Sequence, residues 1–210
     1  MSLLKAVHQL FKRGQTDPLT ALLIKQIDTA IEAVETAAKA LNPGAEVADL
    51  KHPLKLLRAE VRDVGDEVVE QMSASLSVPL EREDLFRVVQ AITVVASDAR
   101  DIVREMVMWG VKPGEWSKGS LEPAPEALQE LREGLLKDTY PTIIKHFRHA
   151  YRLAARLRGG YEEGLTILFD EELTMDTLKR REILRRADLM GRDLVDLCEV
   201  FEDALAKRYM

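Results

Sequence analysis

Carboxylates set one helical turn apart are the first candidates for chemistry in this chain of 210 residues. Asp63, Asp66 and Glu70 share one face of any helix running through them, because residues three and four apart are neighbours on a helical surface. Like charges so placed can be answered in three ways. A bound cation can bridge them, solvent can screen them at a cost of about a few tenths of a kcal/mol each, or an arginine such as Arg62 or Arg100 can neutralise them. All three readings stay open. Arg181, Arg185 and Arg192 fall on one outward wedge of a C-terminal helix, with Lys179, Arg180 and Arg186 thickening the basic run. That wedge could contact an acidic partner or anionic headgroups, and cations near a helix N-terminus do oppose the macrodipole. Asp188, lying between Arg185 and Arg192, instead favours a solvated ladder of intrahelical ion pairs. His146 and His149, three apart, could hold zinc only with a third ligand, so they read as structural. Cys198 lies in an apolar stretch and reads as a core thiol, and Trp109 and Trp116 read as packing anchors. No glycine-rich phosphate loop, nucleophile elbow or His-Glu-x-x-His motif is present, and the Gly159-Gly160 pair lacks the Lys-Ser/Thr of a phosphate cradle. Ferritin-like di-iron chemistry needs paired Glu-x-x-His helices, which are missing as well.

These residues must be positioned by helices. Asp17 as N-cap and Pro18 at the first helical position open a helix whose stripe runs Leu19, Leu22, Leu23, Ile27, Ile31, Val34, and Asn42-Pro43-Gly44 stops it. The spacing predicts a second helix from about Asp49 to Leu76, with Pro53 in its first turn, and, after Ser77-Val78-Pro79, a third that carries Leu85 to Met106 and ends near Gly110. Residues 111–122 form a connecting loop. A short fourth helix carries Leu128, Leu131 and Leu135, a fifth runs from about Pro141 to Phe169, and a sixth from about Thr174 to Arg208. Gly159, Gly160 and Gly164 inside the fifth cost roughly 1 kcal/mol each relative to alanine, which implies a close helix approach or a kink. The turns near 79 and 171 sit in matching places, so the chain reads as a weak duplication: repeat one about 17–110, linker 111–122, repeat two about 123–208. Nowhere is there sustained period-two alternation, so the fold class is all-α.

Composition narrows the function. Thirty Lys and Arg against 36 Asp and Glu give a net charge of −6, which disfavours a nucleic-acid binder of the basic kind. Charged or polar residues interrupt every apolar segment at helical intervals, so a cytoplasmic protein is expected.

The stretch Ser77-Val-Pro-Leu-Glu-Arg-Glu-Asp-Leu-Phe86 resembles the proline-then-Arg-Glu-Asp turn of the PhoU-related phosphate transport regulators. The ending from Leu165 to Arg208, with Leu168-Phe169 before the turn and a Glu-Ile-Leu run after it, is similar to that family's last hairpin. The resemblance implies a six-helix fold of two three-helix bundles and no catalytic reaction. It further implies an accessory role beside a low-affinity, Pit-type phosphate permease at the cytoplasmic face of the inner membrane, with homo-oligomers as a further possibility. Relatives carry iron or zinc clusters on Glu/Asp-x-x-x-Asp motifs. Aligned through the turn, Asp66, Asp101 and Asp196 match acidic positions, whereas Arg62, Thr93, Ser97, Arg100, Ala154, Arg158 and Arg192 stand where carboxylates are expected. A hard cation needs about six oxygen donors. The expectation is therefore no cofactor and no multinuclear cluster, at most one weakly bound metal ion, with Arg181, Arg185 and Arg192 as the candidate partner contact. The competing reading is a helical adaptor or metal-binding protein unrelated to phosphate.

Overall fold

A computed structural model describes residues 17–75 and 80–209, and among them there are six helices and no strand. They are α1 (Pro18–Ala40), α2 (Val47–Ala74), α3 (Arg82–Trp109), α4 (Pro123–Leu135), α5 (Tyr140–Phe169) and α6 (Met175–Tyr209). The all-α, six-helix expectation stands. Part of the Ser77–Phe86 stretch, residues 77–79, lies outside the described residues.

Local chemistry places the boundaries. Asp17 caps α1, its Oδ2 accepting from the Thr20 amide at 3.1 Å with Pro18 next to it, as the sequence predicts. Gly110 ends α3 in the left-handed region at φ 67°, where a side chain is disfavoured. One placement differs. The second helix starts at Val47, before Asp49, so Pro53 sits at its seventh residue and not in the first turn. The missing N–H there is one the Asp49 carbonyl would otherwise accept from, and the helix continues past the exposed ring.

In the first half α1, α2 and α3 pack mutually, and in the second α5 packs on both α4 and α6. The halves meet along α1 against α4 and α3 against α6. One apolar core runs through both, from Leu19, Ile27 and Val61 to Phe147, Leu194 and Phe201. Gln26 is buried inside the first half, its Nε2 donating to the carbonyls of Val61 and Val89 at 3.2 Å and so tying three helices together.

The glycines of α5 show what the linker does. A Cβ on Gly160 would lie 2.9 Å from Ser120 Cα, and one on Gly164 would run into the Trp116 carbonyl oxygen. Only bare backbone lets residues 111–122 lie on α5. Gly159 meets nothing, so close approach explains two of the three glycines. Trp116 is buried, as a packing anchor should be, and Ser117 Oγ donates to the Leu41 carbonyl at 2.7 Å, pinning the linker to the α1–α2 turn.

Candidate functional site

The positions singled out in the second half converge on one groove between α5 and α6. Ala154, Arg158, Arg192 and Asp196 line it together with Ala155, Asp188, Gly191 and Val195, around a volume of about 450 Å³. Its centre is Asp188, whose side chain is only 4% exposed. Arg158 Nη1 donates to both of its oxygens at 3.0 and 3.1 Å, and Arg192 Nη2 donates to Oδ2 at 2.6 Å. Arg158 also bonds Glu162 and lies 4.8 Å over the Tyr161 ring. One rung of the ladder read from α6 alone is present, Arg192 on Asp188, but Asp188 is buried and not solvated, and it takes a second partner from the neighbouring helix, which periodicity along one helix cannot reveal. Arg185 pairs with Glu182, one turn before it.

The corresponding face of the first half spans α2 and α3. Asp101 accepts from Arg100 at 2.5 Å and lies 3.3 Å from Arg104 Nε. Arg62 pairs with Asp63 at 3.3 Å, and Arg58 Nε donates to Ser97 Oγ at 3.2 Å. Asp66 is exposed on α2 and Asp196 exposed on α6. Among the described residues, no three His, Cys, Asp or Glu side chains are placed to hold a metal ion. The donor set does not fit a multinuclear cluster: guanidinium groups already occupy Asp101 and Asp188, and a cation beside them would meet repulsion of roughly 1 kcal/mol per unit-charge pair at 4 Å even in bulk water. Of the two histidines, His146 Nδ1 meets Glu130 Oε2 at 2.7 Å and His149 Nδ1 meets Oε1 at 3.4 Å, so both are bound to one carboxylate of α4. The Cys198 thiol is buried and pushed up to about 12, mainly by that burial, so it stays protonated.

Sequence reasoning passed over a third feature. Asp84, Asp98 and Glu105 on α3 are spaced by multiples of seven, as are Arg186, Asp193 and Lys207 on α6, and the helices meet antiparallel along these positions. Lys207 Nζ donates to the buried Asp84 at 2.8 Å, and Arg186 Nη2 reaches the buried Glu105 at 2.9 Å. Asp84 belongs to the Arg-Glu-Asp run on which the family resemblance rests, and its work here is structural. Between these rungs Asp98 faces another acid, Asp193. Burial, then the hydrogen bond and repulsion of Asp193, push the Asp98 carboxyl up to about 8, with Asp101 adding and Arg186 opposing. Protonated at neutral pH, Asp98 can donate the hydrogen bond that two carboxylates could not share.

The α5–α6 turn carries the three most exposed large apolar side chains among the described residues. Phe169, Leu173 and Met175 are 71%, 77% and 69% exposed, with Ile167 and Leu178 beside them in sequence. Arg181, predicted as a partner contact, lies here and forms no ion pair among the described residues, unlike Arg185 and Arg192. The three predicted contact arginines therefore divide: Arg185 and Arg192 sit in ion pairs on α6, and Arg181 forms none among the described residues.

No protein-family model and no curated protein matches this chain. Solved structures do. A PhoU-like protein from Shewanella oneidensis superposes with a TM-score of 0.77 at 12% identity, over 90% of this chain and 99% of that one. A second protein of that organism, proposed to be a PhoU-like phosphate regulatory protein, superposes with a TM-score of 0.73 at 13% identity, over the same shares of 90% and 99%. Over nearly its whole described length, then, the chain has the PhoU-like fold.

Proposed function

We propose that this chain is a non-enzymatic regulator of inorganic phosphate transport that docks on a phosphate permease at the cytoplasmic face of the membrane. What carries the reading is the match in fold, over 90% of this chain, to PhoU-like proteins, one of them proposed to be phosphate regulatory. The side chains agree with a binding role. Arginines and acids pair in both halves, the single thiol is held protonated, and the three most exposed large apolar side chains of the described residues gather at one turn. No helix among the described residues is long and apolar enough to cross a membrane, so contact with a permease would be peripheral.

In this chain, arginine does the work that a cluster does in metal-bearing relatives. Arg158 ties α5 to α6 through Asp188, Arg192 adds its charge from within α6, and Arg100 and Arg104 neutralise Asp101 within α3. Metal analysis of untagged protein purified without chelator should give less than one iron or zinc per chain, unchanged in Asp66→Ala, Asp101→Ala and Asp196→Ala. Two or more atoms per chain, lost in those variants, would reverse that reading.

The docking role is tested by co-purification: tagged chain should be retained on membranes that contain the phosphate permease and released from membranes that lack it. Equal retention on both, or none on either, favours the alternative of a helical adaptor unrelated to phosphate.

A further inference from the structure

We propose that the α5–α6 turn is a docking notch for a protein segment that presents a bulky apolar side chain beside a carboxylate. Leu168, Phe169, Leu173, Thr177 and Leu178 enclose a hollow of about 310 Å³, with Glu171 and Arg181 at its rim. Its volume suits one large aliphatic or aromatic side chain. Two of its apolar walls, Leu173 at 77% and Phe169 at 71%, are the most exposed large hydrophobic side chains among the described residues, and Leu178 is exposed as well. Exposed apolar surface of this kind, framed by charge, marks an interaction site.

The notch is built in advance of any partner. Thr174 Oγ1 accepts from the Thr177 amide at 3.1 Å, and the Thr177 hydroxyl donates to the Glu172 carbonyl at 2.7 Å, which fixes the turn. A fixed turn loses little conformational entropy when it binds.

Charge decides the class of partner. Glu171 is neutralised by Arg180 at 2.6 Å, and Arg180 also holds Asp176 at 2.9 Å. That leaves Arg181 as the unpaired charge on the rim, and a guanidinium matches a carboxylate in both charge and shape. A bilayer is the poorer fit, because a flat surface does not fill a hollow of about 310 Å³, and with Asp170 and Glu172 flanking the turn without ion pairs among the described residues, an acidic segment gains only where its carboxylate meets Arg181 itself. A second copy meeting the notch tip to tip would set one unpaired Arg181 against another.

This inference rests on the docking reading above only for the partner's identity. The test is titration of the isotope-labelled full chain, followed by amide shifts in a nuclear magnetic resonance spectrum. The probes are a blocked hexapeptide Ser-Leu-Phe-Glu-Glu-Ser, its counterpart with lysine for both glutamates, and phosphatidylcholine–phosphatidylglycerol vesicles. The acidic peptide should give saturable shifts confined to residues 168–181. The lysine peptide should bind about tenfold more weakly, the loss expected for one charge-assisted hydrogen bond. Arg181→Gln should erase that difference, and Leu173→Asp should abolish binding by both peptides. Equal binding of the two peptides overturns the role of Arg181. The site is likewise overturned by shifts elsewhere or absent, by vesicles binding where peptides do not, or by shifts that track the chain's own concentration. The two readings also fail separately. If membranes holding the permease retain Arg181→Gln and Leu173→Asp as well as the parent chain, the notch falls while the permease reading stands. If the peptide binds and those membranes do not retain the chain, the permease reading falls alone.

Discussion

The α3–α6 seam and the α5–α6 turn invert the usual distribution of residue types. The seam buries charge: Asp84 and Glu105 are 1% and 3% exposed where the two halves meet, each answered by a cation from α6. The turn exposes Phe169, Leu173 and Met175 to solvent. A buried ion pair fixes register between helices but contributes little net stability, since desolvation offsets much of the attraction. Exposed apolar side chains contribute nothing to the fold until something covers them. The seam is therefore where the molecule specifies its own arrangement, and the turn is where it is left open to another.

Removing one member of a seam rung should have the largest effect. Arg186→Ala leaves Glu105 buried with only the more distant Arg104, and should destabilise the chain by about 3 kcal/mol in urea titration. Replacing both Arg186 and Glu105 by leucine should restore most of that loss. If the single and double variants fall equally, the rung fixes nothing.

Next comes the contact of the linker with α5. Gly164→Ala drives a methyl toward the Trp116 carbonyl and lies 2.8 Å from Leu184 Cδ1, and should cost about 2 kcal/mol. Gly159→Ala meets nothing and should stabilise by up to about 1 kcal/mol. Similar effects at both sites would mean that the linker does not lie as closely on α5 as described.

The Asp98 rung sharpens the comparison through pH. Its folded carboxyl is held at about 8, above the ordinary value near 3.8, so between those values the folded chain binds a proton that the unfolded chain has released. Stability from this rung is complete below pH ~4, declines as pH rises, and is lost above about 8, with a slope of at most about 1.4 kcal/mol per pH unit. Asp98→Asn can donate to Asp193 at any pH. Urea midpoints at pH 5 and pH 8.5 should converge in this variant, and an undiminished fall with pH would assign the titration elsewhere. At the turn, by contrast, Leu173→Asp and Arg181→Gln should change stability by no more than about 0.5 kcal/mol, because neither side chain packs into the core. A larger loss would make the turn part of the fold and not an open surface.

Most of the fold was legible because its signals are local. The Asp17-Pro18 cap, the Gly110 stop and the apolar stripes each act within one or two helical turns. The second-half groove was legible in part: Ala154, Arg158, Arg192 and Asp196 do converge, although the carboxylate at their centre, Asp188, had been read as solvated. Its partner Arg158 lies thirty residues away on another helix. The seam was missed for the same reason. Asp98 and Glu105 look like ordinary polar positions until their multiples of seven are set against those of Arg186, Asp193 and Lys207. Arg181 could not be separated from Arg185 and Arg192 by sequence, since what distinguishes it is the lack of an ion pair among the described residues.

The most direct test is uptake of radiolabelled phosphate in cells deleted for this chain and complemented with the parent, Leu173→Asp or Glu105→Leu/Arg186→Leu forms, at matched expression. Deletion should alter the uptake rate, and the parent and the double seam variant should restore it. Leu173→Asp, fully folded, should behave like the deletion. Unchanged uptake on deletion would contradict a role in phosphate transport.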